Sequence, residues 1–309
     1  MFSNRWPALL RAGPAGRRSA LALALAALIT GCSGGGSPAP RPTTPPASYY
    51  LALGDSLALG VQPDSTGTSL RTGQGYADQL SAGWRRRLPG LRLVKLGCLG
   101  ETTATMIHGG ICHYRDGSQL ATAAAFLRSH RSHIALVTLD IGANDPEKCL
   151  APPSPLHLVG CMAGVEPRAT GNLRTILATL HRADAKVRIV GMNYYLPALA
   201  QWRHGFAGEL IARLSQGAAG TYNSALTGVY RSAGVPVADV YDAFHTASFS
   251  PDVTVPGLGS LPRNVAAVCQ WTWECAPPPR GPNQHPNRAG YQVIARAFLA
   301  AGARPAVPG

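Results

Sequence analysis

At 309 residues and 46% hydrophobic, the chain carries enough apolar material for one sizeable core; 14% charged content, with 35 Gly and 26 Pro, excludes both a disordered polyelectrolyte and a plain helical bundle. The formal net charge of +13 becomes about +9 once Arg5, Arg11, Arg17 and Arg18 of the amino-terminal segment, which holds no acid, are set aside. The remaining arginines are scattered and only Arg85-Arg86-Arg87 forms a run, which argues against a nucleic-acid surface and for attraction to anionic envelope polymers or lipid headgroups.

Residues 1–18 carry those four arginines, residues 19–29 form a short apolar run, and Ile29-Thr30-Gly31-Cys32 follows. The run is too short to span a bilayer and reads as an export signal, residues 1–31. It resembles a bacterial lipoprotein signal, which implies cleavage before Cys32 and a lipid on its thiol; a plain secretory signal cut near Ala27 is the alternative. Arg17-Arg18 leaves the export route, general or twin-arginine, open. Residues 32–48 hold Ser, Gly, Pro and Thr but no core-forming side chains, the composition of a tether. One domain is expected over 49–309.

Within it, apolar runs at 49–54, 91–97, 133–141, 187–193 and 235–241 have the length and β-branched content of strands. Helical patterns fall near 74–88, 118–130, 168–183 and 203–233, with a last one over 287–302 after Pro286; the Arg85–Arg87 run reads as the solvated end of the first. Strand alternating with helix predicts crossover connections, hence a five-stranded parallel sheet between two helical layers, an α/β/α sandwich. Loops that follow the strands then gather at one edge, where ligands bind. The first of them is Gly54-Asp55-Ser56-Leu57, which puts a hydroxyl where a buried strand turns into a helix. Taken alone, the tetrapeptide reads equally as an ordinary helix cap.

Apart from Cys32, six cysteines remain: Cys98, Cys112, Cys149, Cys161, Cys269 and Cys275. An even number in an exported chain implies disulfides. Pairing in chain order closes three short loops and leaves the core untouched. Zinc, with His113 or His285 as further ligands, is the competing use, but the sequence has no Cys-x-x-Cys spacing.

Along the same edge lie Ser56; Gly100 in Leu96-Gly97-Cys98-Leu99-Gly100-Glu101; Asn144 in Asp140-Ile141-Gly142-Ala143-Asn144-Asp145; and His285 in Asn283-Gln284-His285-Pro286. Singly these read as a cap, a turn glycine, a loop residue and a surface histidine. Together and in this order they resemble the GDSL, or SGNH, hydrolase family over about residues 49–302. The resemblance implies a flavodoxin-like sandwich, a nucleophilic Ser56, a base His285, and an oxyanion hole from the N–H groups of Ser56 and Gly100 and the Asn144 amide. The chemistry needs these types: a hydroxyl is a poor nucleophile near neutral pH unless an imidazole takes its proton, and the tetrahedral intermediate needs fixed donors for its negative oxygen. No metal or organic cofactor is implied.

The chain departs from the family at the histidine block. The Asp usually found two or three residues before the His is replaced by Asn283 and Pro282. A Ser56–His285 dyad is expected, its ring supported by an amide or carbonyl oxygen, with lower activity than a full triad would give. Asp242, beside His245, is a candidate substitute, although a structural role suits it better. Trp271 and Trp273, inside the Cys269–Cys275 loop, either wall an acyl pocket or cover the sheet edge.

The function read from the sequence is a membrane-tethered or secreted extracytoplasmic ester hydrolase acting on a small or lipid-like ester; a monomer is the expectation, and the sequence leaves oligomeric state, acyl length and natural substrate open. A deacetylase of envelope polysaccharide and an inactive lipoprotein that binds acylated or glycan ligands are the alternatives.

Overall fold

The computed structural model describes residues 47–150 and 155–306. The leader, Cys32 and almost all of the 32–48 segment lie outside the described residues. Ser48, counted with the tether above, instead opens the first strand and pairs with Leu91.

In chain order the elements are β1 (Ser48–Gly54), a one-turn α1 (Ser56–Leu59), a small hairpin of β2 (Val61–Pro63) and β3 (Ser69–Arg71), then α2 (Tyr76–Arg85) and β4 (Leu91–Lys95). There follow α3 (Thr103–His108), α4 (Gln119–Ser129), β5 (Ile134–Asp140), a 3₁₀ turn (Glu147–Leu150), α5 (Pro155–Ala183) and β6 (Ile189–Met192). The last third holds a 3₁₀ segment (Pro197–His204), α6 (Gly205–Ser232), β7 (Val237–Ala238), α7 (Val240–Ala243), a second hairpin of β8 (Asp252–Val255) and β9 (Gly259–Pro262), α8 (Arg263–Trp271) and α9 (Arg288–Ala300).

The five predicted strands form one sheet in the order β4-β1-β5-β6-β7, with every neighbouring pair parallel. This is the flavodoxin-like order. β1 and β5 are buried along almost their whole length, as a sheet covered on both faces requires. Alternate side chains of β1 serve the two layers. Tyr49 meets Phe126 of α4 edge-on at 5.2 Å, while Tyr50 meets Trp84 of α2 at 5.0 Å. Helices α2 and α9 pack together on one side, where Phe298 stacks on Tyr76; α4, α5 and α6 pack in succession on the other.

The chain runs outward from β1 to β4 and then returns to β5 on the far side of β1. The carboxyl ends of β1 and β5 therefore flank the point where the winding reverses, and a crevice opens there. A smaller apolar cluster, including Leu199, Ala212, Leu261, Val265 and Val268, joins the 3₁₀ segment, α6, β9 and α8 beside that crevice.

The structure departs from the predicted elements in three places. Helix α5 starts at Pro155 rather than 168, with Pro167 inside it. The predicted helix over 203–233 splits at Gly205, whose φ of +71° ends the preceding 3₁₀ segment. The two hairpins and α8 carry no pattern long enough to read. The cysteines pair in chain order, Cys98–Cys112, Cys149–Cys161 and Cys269–Cys275. With all six sulfurs so engaged, the zinc alternative loses its thiolates. No described helix is long and apolar enough to cross a membrane.

Candidate active site

The turn from β1 into α1 is fixed by backbone geometry first. Gly54 adopts φ +134°, and a Cβ there would run into the carbonyl oxygen of Asp140 on the neighbouring strand, so only glycine fits. The side-chain amide of Gln119, at the start of α4, grips this glycine on both sides. It accepts from Gly54 N–H at 2.7 Å and donates to Gly54 O at 2.9 Å. Neither Gln119 nor its partner Glu101, which accepts from the same amide at 3.0 Å, carried a local signal in the sequence.

Asp55 is the N-cap of α1, accepting from Leu57 N–H at 2.8 Å, and Asp140 accepts from Ala58 N–H at 3.1 Å. The N–H of Ser56 has no protein acceptor among the described residues and stays free for a ligand. Both carboxyls, Asp55 and Asp140, are buried. Burial pushes both upward; the charge of Asp55 raises Asp140 further, and Asp140 also accepts the Tyr76 hydroxyl.

His285 is held by a bridge that the residues around Cys269–Cys275 build. Trp273 N–H donates to His285 O at 3.1 Å, Asn283 N–H to Trp273 O at 3.2 Å, and Asn287 N–H to Trp271 O at 3.0 Å. The Tyr195 hydroxyl holds Gln284 O at 2.7 Å. Asn283 Oδ1 accepts the backbone N–H of His285 at 3.0 Å, while its Nδ2 donates to Ser69 Oγ at 3.0 Å. The amide is thereby oriented with its oxygen toward the ring, so the 2.8 Å contact to Nδ1 must be a ring N–H donating to it. The proton sits on Nδ1 and Nε2 carries a lone pair. Nε2 is buried and has no hydrogen-bond partner among the described residues. Burial, with no carboxylate to offset it, pushes the ring down to about 4.

Ser56, Asn144 and His285 line one cavity of about 360 Å³. Its other walls include Met162, Leu196, Pro197, Ala218 and Tyr222, which make it mainly apolar. No hydrogen bond joins Ser56 Oγ to His285 Nε2. Asn144 Nδ2 donates one hydrogen to Glu101 O at 2.9 Å, and its other hydrogen has no acceptor among the described residues. Gly100, at φ +79°, is not among the lining residues; its N–H has no acceptor among the described residues, and the adjacent turn is tied to Gly54 O through Cys98 N–H. Asp145, next to Asn144, accepts the Thr103 N–H at 2.9 Å and the Thr103 hydroxyl, clamping the Gly100 loop to the Asn144 loop. The sequence did not single out this clamp.

The remaining candidates lie elsewhere. Asp242 is exposed and His245 faces Arg263 at 3.2 Å; neither lines the cavity. The indoles do not wall it either. Trp271 packs edge-on against Phe244, and Trp273 Nε1 donates to Gln62 Oε1 at 3.3 Å beneath the Arg280 guanidinium. Among the described residues, no three His, Cys, Asp or Glu side chains are placed to hold a metal ion.

The model of the GDSL-like lipase/acylhydrolase family matches residues 52–293. No curated protein matches the chain. Among solved structures, the chain is similar to an extracellular lipase from Streptomyces rimosus at 18% identity and a TM-score of 0.55, over 82% of this chain and 100% of that one. It is similar to phospholipase A1 from Streptomyces albidoflavus NA297 at 18% identity and a TM-score of 0.52, over 82% and 99%. The lipase Lip_vut3 from a goat rumen metagenome gives 17% identity and a TM-score of 0.50, over 83% and 98%. At such identities these likenesses establish the fold.

Proposed function

We infer from the fact that this chain belongs to the GDSL-like lipase/acylhydrolase family that it hydrolyses carboxylic esters through an acyl-enzyme on Ser56, outside the cytoplasm. The observation that carries the mechanism is the buried Nε2 lone pair of His285, unpartnered among the described residues, on the same cavity as Ser56. Ser56 Oγ bonds to the ester carbonyl carbon as its proton passes to Nε2, and the carbonyl electron pair moves onto oxygen. The free N–H groups of Ser56 and Gly100 and the free hydrogen of Asn144 Nδ2 receive that oxyanion. Collapse breaks the bond to the leaving alcohol, which takes the proton from Nε2. Water then attacks the acyl-serine by the same route, giving its proton to Nε2 and restoring the Ser56 hydroxyl from it.

Asn283 takes the place of the acid of a triad. It fixes the tautomer and the ring, but contributes no negative charge to the imidazolium. Three disulfides support an oxidising, exported setting, and Cys32 is the proposed lipid attachment point at the outer face of the cell membrane. Turnover of p-nitrophenyl butyrate by the purified chain, abolished by Ser56→Ala, is the expected result. A folded, inactive wild type would leave a binding protein in its place. Cys32→Ala is expected to shift the chain from membrane to soluble fractions, and an unchanged distribution would remove the anchor.

A further inference from the structure

The first half of α6 exposes apolar side chains where a water-facing helix would carry polar ones. Phe206 is 85% exposed, Leu210 48% and Leu214 45%; Ile211, at 44%, widens the patch. Phe206, Leu210 and Leu214 recur every four residues and form one ridge, about 12 Å long at the helical rise. The same four-residue row continues to Ala218 and Tyr222, and both line the cavity that holds Ser56 and His285. An apolar track thus runs along one helix from an exposed tip into the wall of the reactive cavity.

The charge around the ridge has one dominant sign. Arg203, His204 and Arg213 are exposed along this segment, and Glu209 is the sole acid between 200 and 220. Arg213 spreads its guanidinium over Trp202 and Phe249, at 4.8 and 4.7 Å, which fixes a cation beside the ridge. A second copy related by a two-fold axis would bring these cations against their own equivalents, in a chain of formal net charge +13. An anionic lipid surface satisfies both features, since its headgroups meet the arginines while its acyl region receives the ridge.

We propose that the Phe206–Leu210–Leu214 ridge docks this protein on an anionic phospholipid surface and passes an amphiphilic ester from that surface into the Ser56 cavity. The transfer half rests on the ester-hydrolase reading; the docking half does not, and the experiment separates them. In the full chain carrying Cys32→Ser, an environment-sensitive fluorophore is attached at Phe206→Cys and, as a control on another part of the surface, at Arg86→Cys. Phosphatidylglycerol vesicles are expected to raise and blue-shift emission at 206 and not at 86, with a weaker response to phosphatidylcholine. No response at 206, an equal response at 86, or a response that tracks protein concentration without lipid overturns the docking, the last in favour of self-association. In parallel, Phe206→Ser/Leu210→Ser/Leu214→Ser is expected to hydrolyse a soluble butyrate ester within twofold of its parent and a vesicle-embedded ester at least tenfold more slowly. Equal effects on both substrates overturn the transfer. If no variant or parent cleaves either ester, the hydrolase reading fails while the fluorophore still decides whether the ridge meets lipid.

Discussion

Asn283 Oδ1 receives two hydrogens from His285, the backbone N–H at 3.0 Å and the ring Nδ1–H at 2.8 Å. The ring is thus oriented by an amide, which brings no negative charge, and the basicity of the ring should show it. With burial alone acting, the ring lies near 4, and its free base persists well into acid. Asn283→Asp restores the charge, while Ser69 Oγ can turn to donate. The acid limb of kcat/KM is expected to move up toward the ordinary histidine range, and turnover at pH 7.5 to rise roughly tenfold, because a more basic imidazole takes the proton more readily. At pH 5 the order should reverse, the variant's ring then being protonated. A neutral-pH rate equal to or below wild type would show that the missing charge does not limit the reaction.

The same buried ring links stability to pH. Its folded value lies below the unfolded one, so between about pH 6.5 and 4 the unfolded chain binds the extra proton and stability falls as pH drops. The contribution amounts to up to about 3 kcal/mol. The Asp55–Asp140 pair acts in the opposite sense, because its raised values make the folded state the better proton acceptor; the stability it contributes is lost as pH rises. His285→Gln should therefore flatten the acid side of a Tm-against-pH curve. Parallel curves for the two proteins would refute the linkage.

Asp145 is expected to act as a positioning residue through Asn144 and Gly100. Asn144→Ala, which deletes a donor, should lower kcat by about 10²–10³ with KM little changed. Asp145→Ala should lower kcat about tenfold through the slackened clamp and destabilise the fold by about 1–3 kcal/mol, because it strands the Thr103 N–H. Asp145→Asn, which keeps one acceptor, should recover part of the rate. If stability drops and kcat does not, Asp145 is structural only.

Breaking Cys269–Cys275 tests the brace behind the histidine. The bridge closes a loop of only six residues, for which loop-closure entropy gives about 2 kcal/mol. Cys269→Ala/Cys275→Ala is expected to lower Tm by roughly 4–8 °C. It should also lower kcat, because Trp271 and Trp273 carry the backbone bonds to His285 and Asn287. An unchanged kcat with a lowered Tm would show that those bonds hold the ring without the disulfide.

How much was legible depends on how local each signal is. The strands ending at Gly54 and Asp140 were readable because a parallel strand covered on both faces must be apolar almost throughout. Ser56 was readable from the strand, turn and helix start around it. Gln119 was not, since its partner Gly54 lies 65 residues away and an amide at a helix start looks like any other. Helix α8 and the two hairpins are too short for periodicity to declare them, and the turns of α5 that precede Pro167 went unread because proline is unfavourable inside a helix. The Trp271 and Trp273 rings, ambiguous in the sequence, turned to Phe244 and Gln62 once α8 and the hairpin of β2 and β3 closed beside them.

By itself the sequence determined the sandwich, the order of the four blocks and the absence of an acid before His285, because burial patterns and residue identities are local properties. Tertiary structure alone decided which atom supports the ring, how Asp145 ties two loops together, and that an apolar helix ridge leads into the cavity. Those are distances between segments far apart in the chain, set by how the layers pack against one another.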